Sequence, residues 1–250
     1  MSTIFIDEEL CLTIDHLLFE GYWEKAKEML ENTQLTNLQG IHAGVRMEQW
    51  GRIATYENNI SGAMYYYLKA EQIYLQHGRK GEENLGVLYQ LLADYYRLGG
   101  FFEYAYDYAN KGLNLWLNHP DAGPTHLNTQ IFAKMIVDIG VDQYWEEKKP
   151  ELFEQSLLIY HDILDVIDRY PDSKSSSPML KPFIVSIKVG LVWGYTILKQ
   201  YEEAIELLKT IRSEPIVDAT GDGAKIDWAM ERLFRSTDTE RNKRHLALYG

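Results

Sequence analysis

Residues 47–75 read MEQWGRIATYENNISGAMYYYLKAEQIYL, and the fold is decided by how this stretch is interpreted. Trp50-Gly51, Ala63, Tyr67 and Ala70 stand at helical spacing on either side of a turn at Asn59-Ile-Ser-Gly. The same order of turn, bulky residue, polar or acidic residue and small alanine recurs three more times. It is found in Gly21-Tyr-Trp-Glu-Lys-Ala26, Gly100-Phe-Phe-Glu-Tyr-Ala105 and Gln200-Tyr-Glu-Glu-Ala204. Self-similarity at a period of a few tens of residues marks a repeat array, whose units cannot bury their apolar faces alone.

The four alanines set a register. Twelve residues before them stand Ile14, Gly51, Ala93 and Val192, and four after them Leu30, Tyr67, Ala109 and Leu208. This pattern resembles the tetratricopeptide repeat, in which small residues let two antiparallel helices approach closely and large ones fill the space between successive hairpins. The first two alanine spacings, 37 and 42 residues, exceed the roughly 34 of that family, so helices are extended or loops enlarged. In repeat length the chain looks like bacterial peptide-pheromone sensors and related response-regulator inhibitors, although no N-terminal helix-turn-helix signature is present.

Apolar residues at helical spacing, such as Leu10, Ile14, Leu17 and Leu18, or Leu88, Leu91, Leu92, Tyr95 and Tyr96, predict an all-α chain. Five helical hairpins are expected, at about 8–36, 38–77, 80–118, 124–169 and 179–212, followed by a helix from about 224 to 247. The resemblance implies that they form a right-handed superhelical solenoid. The domain reading is thus a repeat array over 1–223 and a C-terminal capping or linking helix over 224–250. The fourth hairpin is degenerate, with Ala133 in its first helix and Ser156 in its second. It is expected to carry a variable insertion at Gly140-Val-Asp-Gln-Tyr-Trp-Glu-Glu-Lys-Lys-Pro150, and a loop is expected at Tyr170 to Pro178.

Composition narrows the function. With 250 residues, 46% of them hydrophobic, the chain has enough apolar material for a substantial core. Its formal charge of −12 repels nucleic-acid phosphates and anionic lipid, so neither nucleic-acid binding nor membrane insertion is expected. Cys11 is the only cysteine, which excludes an intrachain disulfide and fits a reducing cytoplasm. No basic leader precedes the first apolar residues, so no secretory signal is expected. Positive charge gathers only at the end, in Arg232, Arg235, Arg241, Lys243, Arg244 and His245, a pattern expected of a solvated cap or a docking helix.

No catalytic pattern is found. There is no HExxH, Walker loop, GxSxG elbow or dinucleotide fingerprint. His16 with Glu20 and His161 with Asp165 share helix faces but lack a third convergent ligand. Asp218-Ala-Thr-Gly-Asp-Gly223 begins like a calcium loop but has Ala229 where the bidentate carboxylate belongs. The tyrosine clusters Tyr65 to Tyr67, Tyr95-Tyr96 and Tyr104 to Tyr108 suit packing between repeats. No enzyme activity, cofactor or metal is expected.

The resemblance also implies a concave face lined by the first helix of each hairpin. By register its candidates are Glu48, Gln49, Arg52 and Tyr56, then Gln90, Asp94 and Arg97, then Gln130, Lys134 and Asp138, and finally Trp193. Gln49, Gln90 and Gln130 are suited to pairing an extended peptide backbone, and Arg52 and Arg97 to a carboxylate. The carboxylate clamp of chaperone-binding members is not expected, because Asp15 and Asp94 stand where amides would. The expected function is a regulatory or adaptor scaffold for a peptide or protein. Two alternatives stand beside it: the sensory front of a larger signalling protein, and a self-associating scaffold that includes a homodimer.

Overall fold

The computed structural model describes residues 3–32, 40–123, 126–149, 151–169 and 180–212. The expected final helix, the basic end, the 218–223 turn and the loop from Tyr170 to Pro178 lie outside them. The described residues form ten α-helices and contain no strand. These are α1 (Thr3–Phe19), α2 (Trp23–Asn32), α3 (Ile41–Tyr56), α4 (Ile60–Gln76), α5 (Glu82–Leu98), α6 (Phe102–Asn118), α7 (Leu127–Glu147), α8 (Glu151–Arg169), α9 (Leu180–Ile197) and α10 (Tyr201–Arg212). One 3-10 turn, Gly78–Gly81, lies between α4 and α5. The chain divides into two compact units, 1–92 and 93–250, with the division inside α5.

Four of the helix-to-helix turns are built alike. Gly21, Asn58, Gly100 and Lys199 each adopt a left-handed backbone, with φ of 81°, 57°, 74° and 62°, and each stands five residues before a register alanine. In every case the next amide bonds back across the helix end: Tyr22 to Leu17, Asn59 to Ala54, Phe101 to Tyr96 and Gln200 to Tyr195, at 2.8 to 2.9 Å. This is the Schellman closure, which satisfies carbonyls that a helix end otherwise leaves without partners. Glycine and asparagine adopt this conformation readily, whereas lysine carries a Cβ that crowds its own carbonyl. Each turn delivers its alanine to a fully buried site: Ala26, Ala63, Ala105 and Ala204 expose no surface.

In the first unit α1, α2 and α3 pack on one another and α4 packs on α3. Ile14, Leu18, Ala26, Leu30 and Ile53 form a core cluster, with Trp23 and Trp50 against it. Close approach of α3 and α4 depends on two glycines. A Cβ on Gly51 would lie 2.5 Å from the Tyr67 ring, and one on Gly44 would lie 2.4 Å from the Tyr74 ring. Both tyrosines are buried, so their rings fill sockets that only a missing side chain leaves open. The Asn59 side chain caps α4 by accepting a bond from the Gly62 amide at 3.0 Å.

In the second unit α7 is central, packing against α6, α8 and α9, and it is therefore apolar around most of its circumference. Gly112 on α6 provides the socket for the Phe132 ring. Ser156 replaces the register alanine on α8. Its buried hydroxyl lies 2.5 Å from the Leu152 carbonyl oxygen and 3.1 Å from that of Ile136, and donates to one of them at a time. Val185, Val192, Ala204, Leu208 and Ile211 close the α9–α10 core.

Within the segment expected to be an insertion, 140–150, α7 runs unbroken through Glu147. Nothing before Lys148 breaks the helix, and Gln143 is buried within the continuation, so the extra residues lengthen a helix. Helix α1 likewise begins at Thr3, earlier than the expected residue 8.

The turns and sockets predict opposite outcomes for two substitutions. Gly51→Ala gains about 1 kcal/mol of helix propensity but drives a methyl into a ring that cannot retreat, so urea unfolding should show a net loss of about 1–3 kcal/mol. Lys199→Gly relieves the left-handed strain and should raise stability by about 1 kcal/mol.

Candidate functional site

The first helices of the first unit bring Asp15 of α1 beside Glu48, Gln49 and Arg52 of α3. The Gln49 amide nitrogen donates to the Asp15 carboxylate at 3.1 Å and to the Cys11 carbonyl at 3.0 Å. Arg52 lies 3.5 Å from the same carboxylate. Glu48 points inward and accepts a bond from the Tyr74 hydroxyl at 3.1 Å. Burial, then the charge of Asp15, pushes the Glu48 carboxyl from its ordinary 4.5 up to about 7, although Tyr74 and Arg52 both pull it down. Burial likewise raises Asp15, against the pull of Gln49 and Arg52.

The second unit holds a comparable cluster between α5 and α7. The Arg97 Nε donates to Asp142 at 2.6 Å, and its Nη1 lies 3.7 Å from Asp138, which also pairs with Lys134. Asp94 is raised by burial, and Asp138 adds to the effect, while Arg97 and Lys134 oppose it. Both clusters are therefore ladders of opposite charges that join one first helix to the next. Each remains partly exposed, so the pairs are accessible but contribute little stability individually.

The structure treats the three expected amides differently. Gln90 faces solvent. Gln49 and Gln130 have no exposed surface, so neither can pair a segment lying on the outside. Two amides read as surface donors are instead interior groups. The Gln49 oxygen is buried without a hydrogen-bond partner. Tyr56 also acts within the fold: its hydroxyl donates to the Leu18 carbonyl at 3.1 Å and its ring stacks on Trp23 with centroids 6.4 Å apart, closing the end of the first hairpin. Of the candidates, Arg52, Tyr56, Gln90, Asp94, Arg97, Lys134, Asp138 and Trp193 have side chains that reach water.

Trp193 sits elsewhere, in the wall of an open cavity of about 300 Å³ at the C-terminal ends of α7 and α9. Tyr144, Trp145, Lys148, Thr196, Ile197, Lys199 and Tyr201 complete it. Sequence reading found Trp193 but not its companions. The one available signal was Lys199, which occupies a turn place where the other hairpins have glycine or asparagine. His161 is committed to a contact with the Tyr195 hydroxyl at 2.5 Å. Among the described residues no three His, Cys, Asp or Glu side chains are grouped to hold a metal ion, and no helix is long and apolar enough to cross a membrane.

The chain matches no protein-family model, and a search of curated proteins gives no match either.

The raised Glu48 carboxyl sets a pH dependence. In the unfolded chain it releases its proton near 4.5, but in the fold it keeps it until about 7, so the folded state binds more protons in between. Stability from this group is full below 4.5 and is lost as pH rises through 7. Urea unfolding at pH 5 and pH 8 should show the wild type losing on the order of 2 kcal/mol more than Glu48→Gln, which keeps an acceptor for Tyr74 but does not ionise.

Proposed function

We propose that the chain is a tetratricopeptide-type scaffold, without catalytic activity of its own, that binds a peptide or protein partner through the faces of its first helices and serves as a regulatory or adaptor module in the cytoplasm. The observation that carries this reading is the repeated turn: four hairpins share one left-handed position, one backbone closure and one buried alanine. Repeat arrays built this way present first helices side by side, and packing of α1 on α3 and of α7 on α9 agrees with that order. The right-handed solenoid implied by the resemblance belongs to the proposal.

In each unit the ligand surface is the accessible side of that unit's own charge ladder. Arg52 and Arg97 are the cations a partner carboxylate would compete for, with Gln90 as an exposed amide earlier on α5. Each arginine can exchange an internal acid for one on the partner at little cost, because the internal pairs are partly in water. Self-association is a second reading, favoured by Ile60, Leu68 and Leu75, which leave α4 with exposed apolar side chains. Sedimentation at several concentrations distinguishes it.

The test is capture of partners from source lysate by the wild-type chain and by an Arg52→Ala/Arg97→Ala/Gln90→Ala variant of equal helicity. The expected result is a partner retained by the former and reduced at least about tenfold with the latter, corresponding to about 1.4 kcal/mol. Equal retention by both sinks the proposed surface.

A further inference from the structure

The cavity around Trp193 combines features that the scaffold reading does not use. Its walls come from two helix ends of the second unit, the last turn of α7 with its cap and the last turn of α9 with the start of α10. Four aromatic side chains, Tyr144, Trp145, Trp193 and Tyr201, supply flat apolar faces. Two lysines stand among them, and among the described residues no acid lines the space. Glu146, Glu147, Glu202 and Glu203, the nearest acids in sequence, do not belong to the wall.

Among the described residues no carboxylate forms an ion pair with Lys148 or Lys199. Lys148 donates to the Trp145 carbonyl at 2.9 Å, and its ammonium lies 5.1 Å from the Trp145 ring centre and 5.7 Å from that of Tyr144. In a chain of formal charge −12, two cations that no described acid pairs, beside clustered rings, are a local inversion of the overall electrostatics. They face a further opposing effect, because the carbonyl ends of two helices contribute partial negative charge here. Two whole positive charges exceed those partial charges, so the cavity remains attractive to an anion.

Both lysines are also held in the left-handed backbone region, with φ of 60° at Lys148 and 62° at Lys199. These are helix-ending positions where glycine carries no steric cost and lysine does. Strain of this kind at two sites flanking one cavity is a reason to look for function in the side chains retained there.

We propose that this cavity binds a small aromatic anion, a planar ring bearing a carboxylate, with the ring among Tyr144, Trp145, Trp193 and Tyr201 and the charge between Lys148 and Lys199. A volume of about 300 Å³ is at the small end of the range for small-molecule sites and suits one or two fused rings. Rings stack on the aromatic faces, and the two ammonium groups supply charge-assisted hydrogen bonds.

The backbone geometry provides a test that is not confounded by unfolding. Replacing both lysines by glycine removes the charges and relieves strain, so the variant should fold at least as stably as the wild type. The probe is naphthalene-2-carboxylate, followed by calorimetry and by the indole N–H resonances of the six tryptophans. Saturable binding that moves the Trp145 and Trp193 signals is expected. It should weaken at least about tenfold for Lys148→Gly/Lys199→Gly and for the uncharged naphthalene-2-carboxamide, and should persist in Lys148→Arg/Lys199→Arg. A blocked peptide ending in tryptophan with a free carboxylate distinguishes a chain terminus from a free acid, which should bind at least as tightly. The proposal is overturned by no saturable binding, by equal binding of the carboxamide, by undiminished binding to the glycine variant, or by a response to the peptide alone.

Discussion

Two helices can approach to backbone contact only where a side chain is absent or nearly so, and this constraint shapes the packing of α3 on α4 and of α6 on α7. The rings of Tyr67, Tyr74 and Phe132 occupy space vacated by Gly51, Gly44 and Gly112. Four alanines and one serine occupy the matching places on the second helices. Large residues then fill what remains, since interiors pack to the density of molecular crystals. The left-handed turns belong to the same constraint, because they return the chain at the angle that puts each alanine against its neighbour.

Much of this was visible in the sequence because it rests on residue type. A glycine, an asparagine or an alanine at a recurring position has a local steric meaning that needs no knowledge of partners. Hairpin order and approximate limits followed from that. The continuation of α7 past Gly140 did not, because extra residues within a degenerate repeat do not show whether they extend a helix when the burial of Gln143 is unknown.

The candidate site was less legible. An amide has the same polarity whether it faces solvent or donates to Asp15 and a Cys11 carbonyl from inside a packed interface, so Gln49 and Gln130 read as surface groups. The burial of Gln49 depends on contacts with residues far away in the chain. Charge ladders and the cavity have the same origin: Arg97 meets Asp142 across 45 positions, and Lys148 and Lys199 share a wall from different hairpins. Patterns within one helix cannot express such meetings.

Tyr74 has a role beyond its ring. Its own carbonyl lies where a Cβ on Gly81 would approach to 2.2 Å, so the 3-10 turn at Gly78–Gly81 is pressed against the end of α4, while the Tyr74 hydroxyl holds Glu48 on α3. The long interval between Ala63 and Ala105 is therefore not slack. It contains a spacer clamped to the hairpin before it, and chains descended from this one should vary in length elsewhere, because one residue more or less at 77–81 would force apart backbones already in contact.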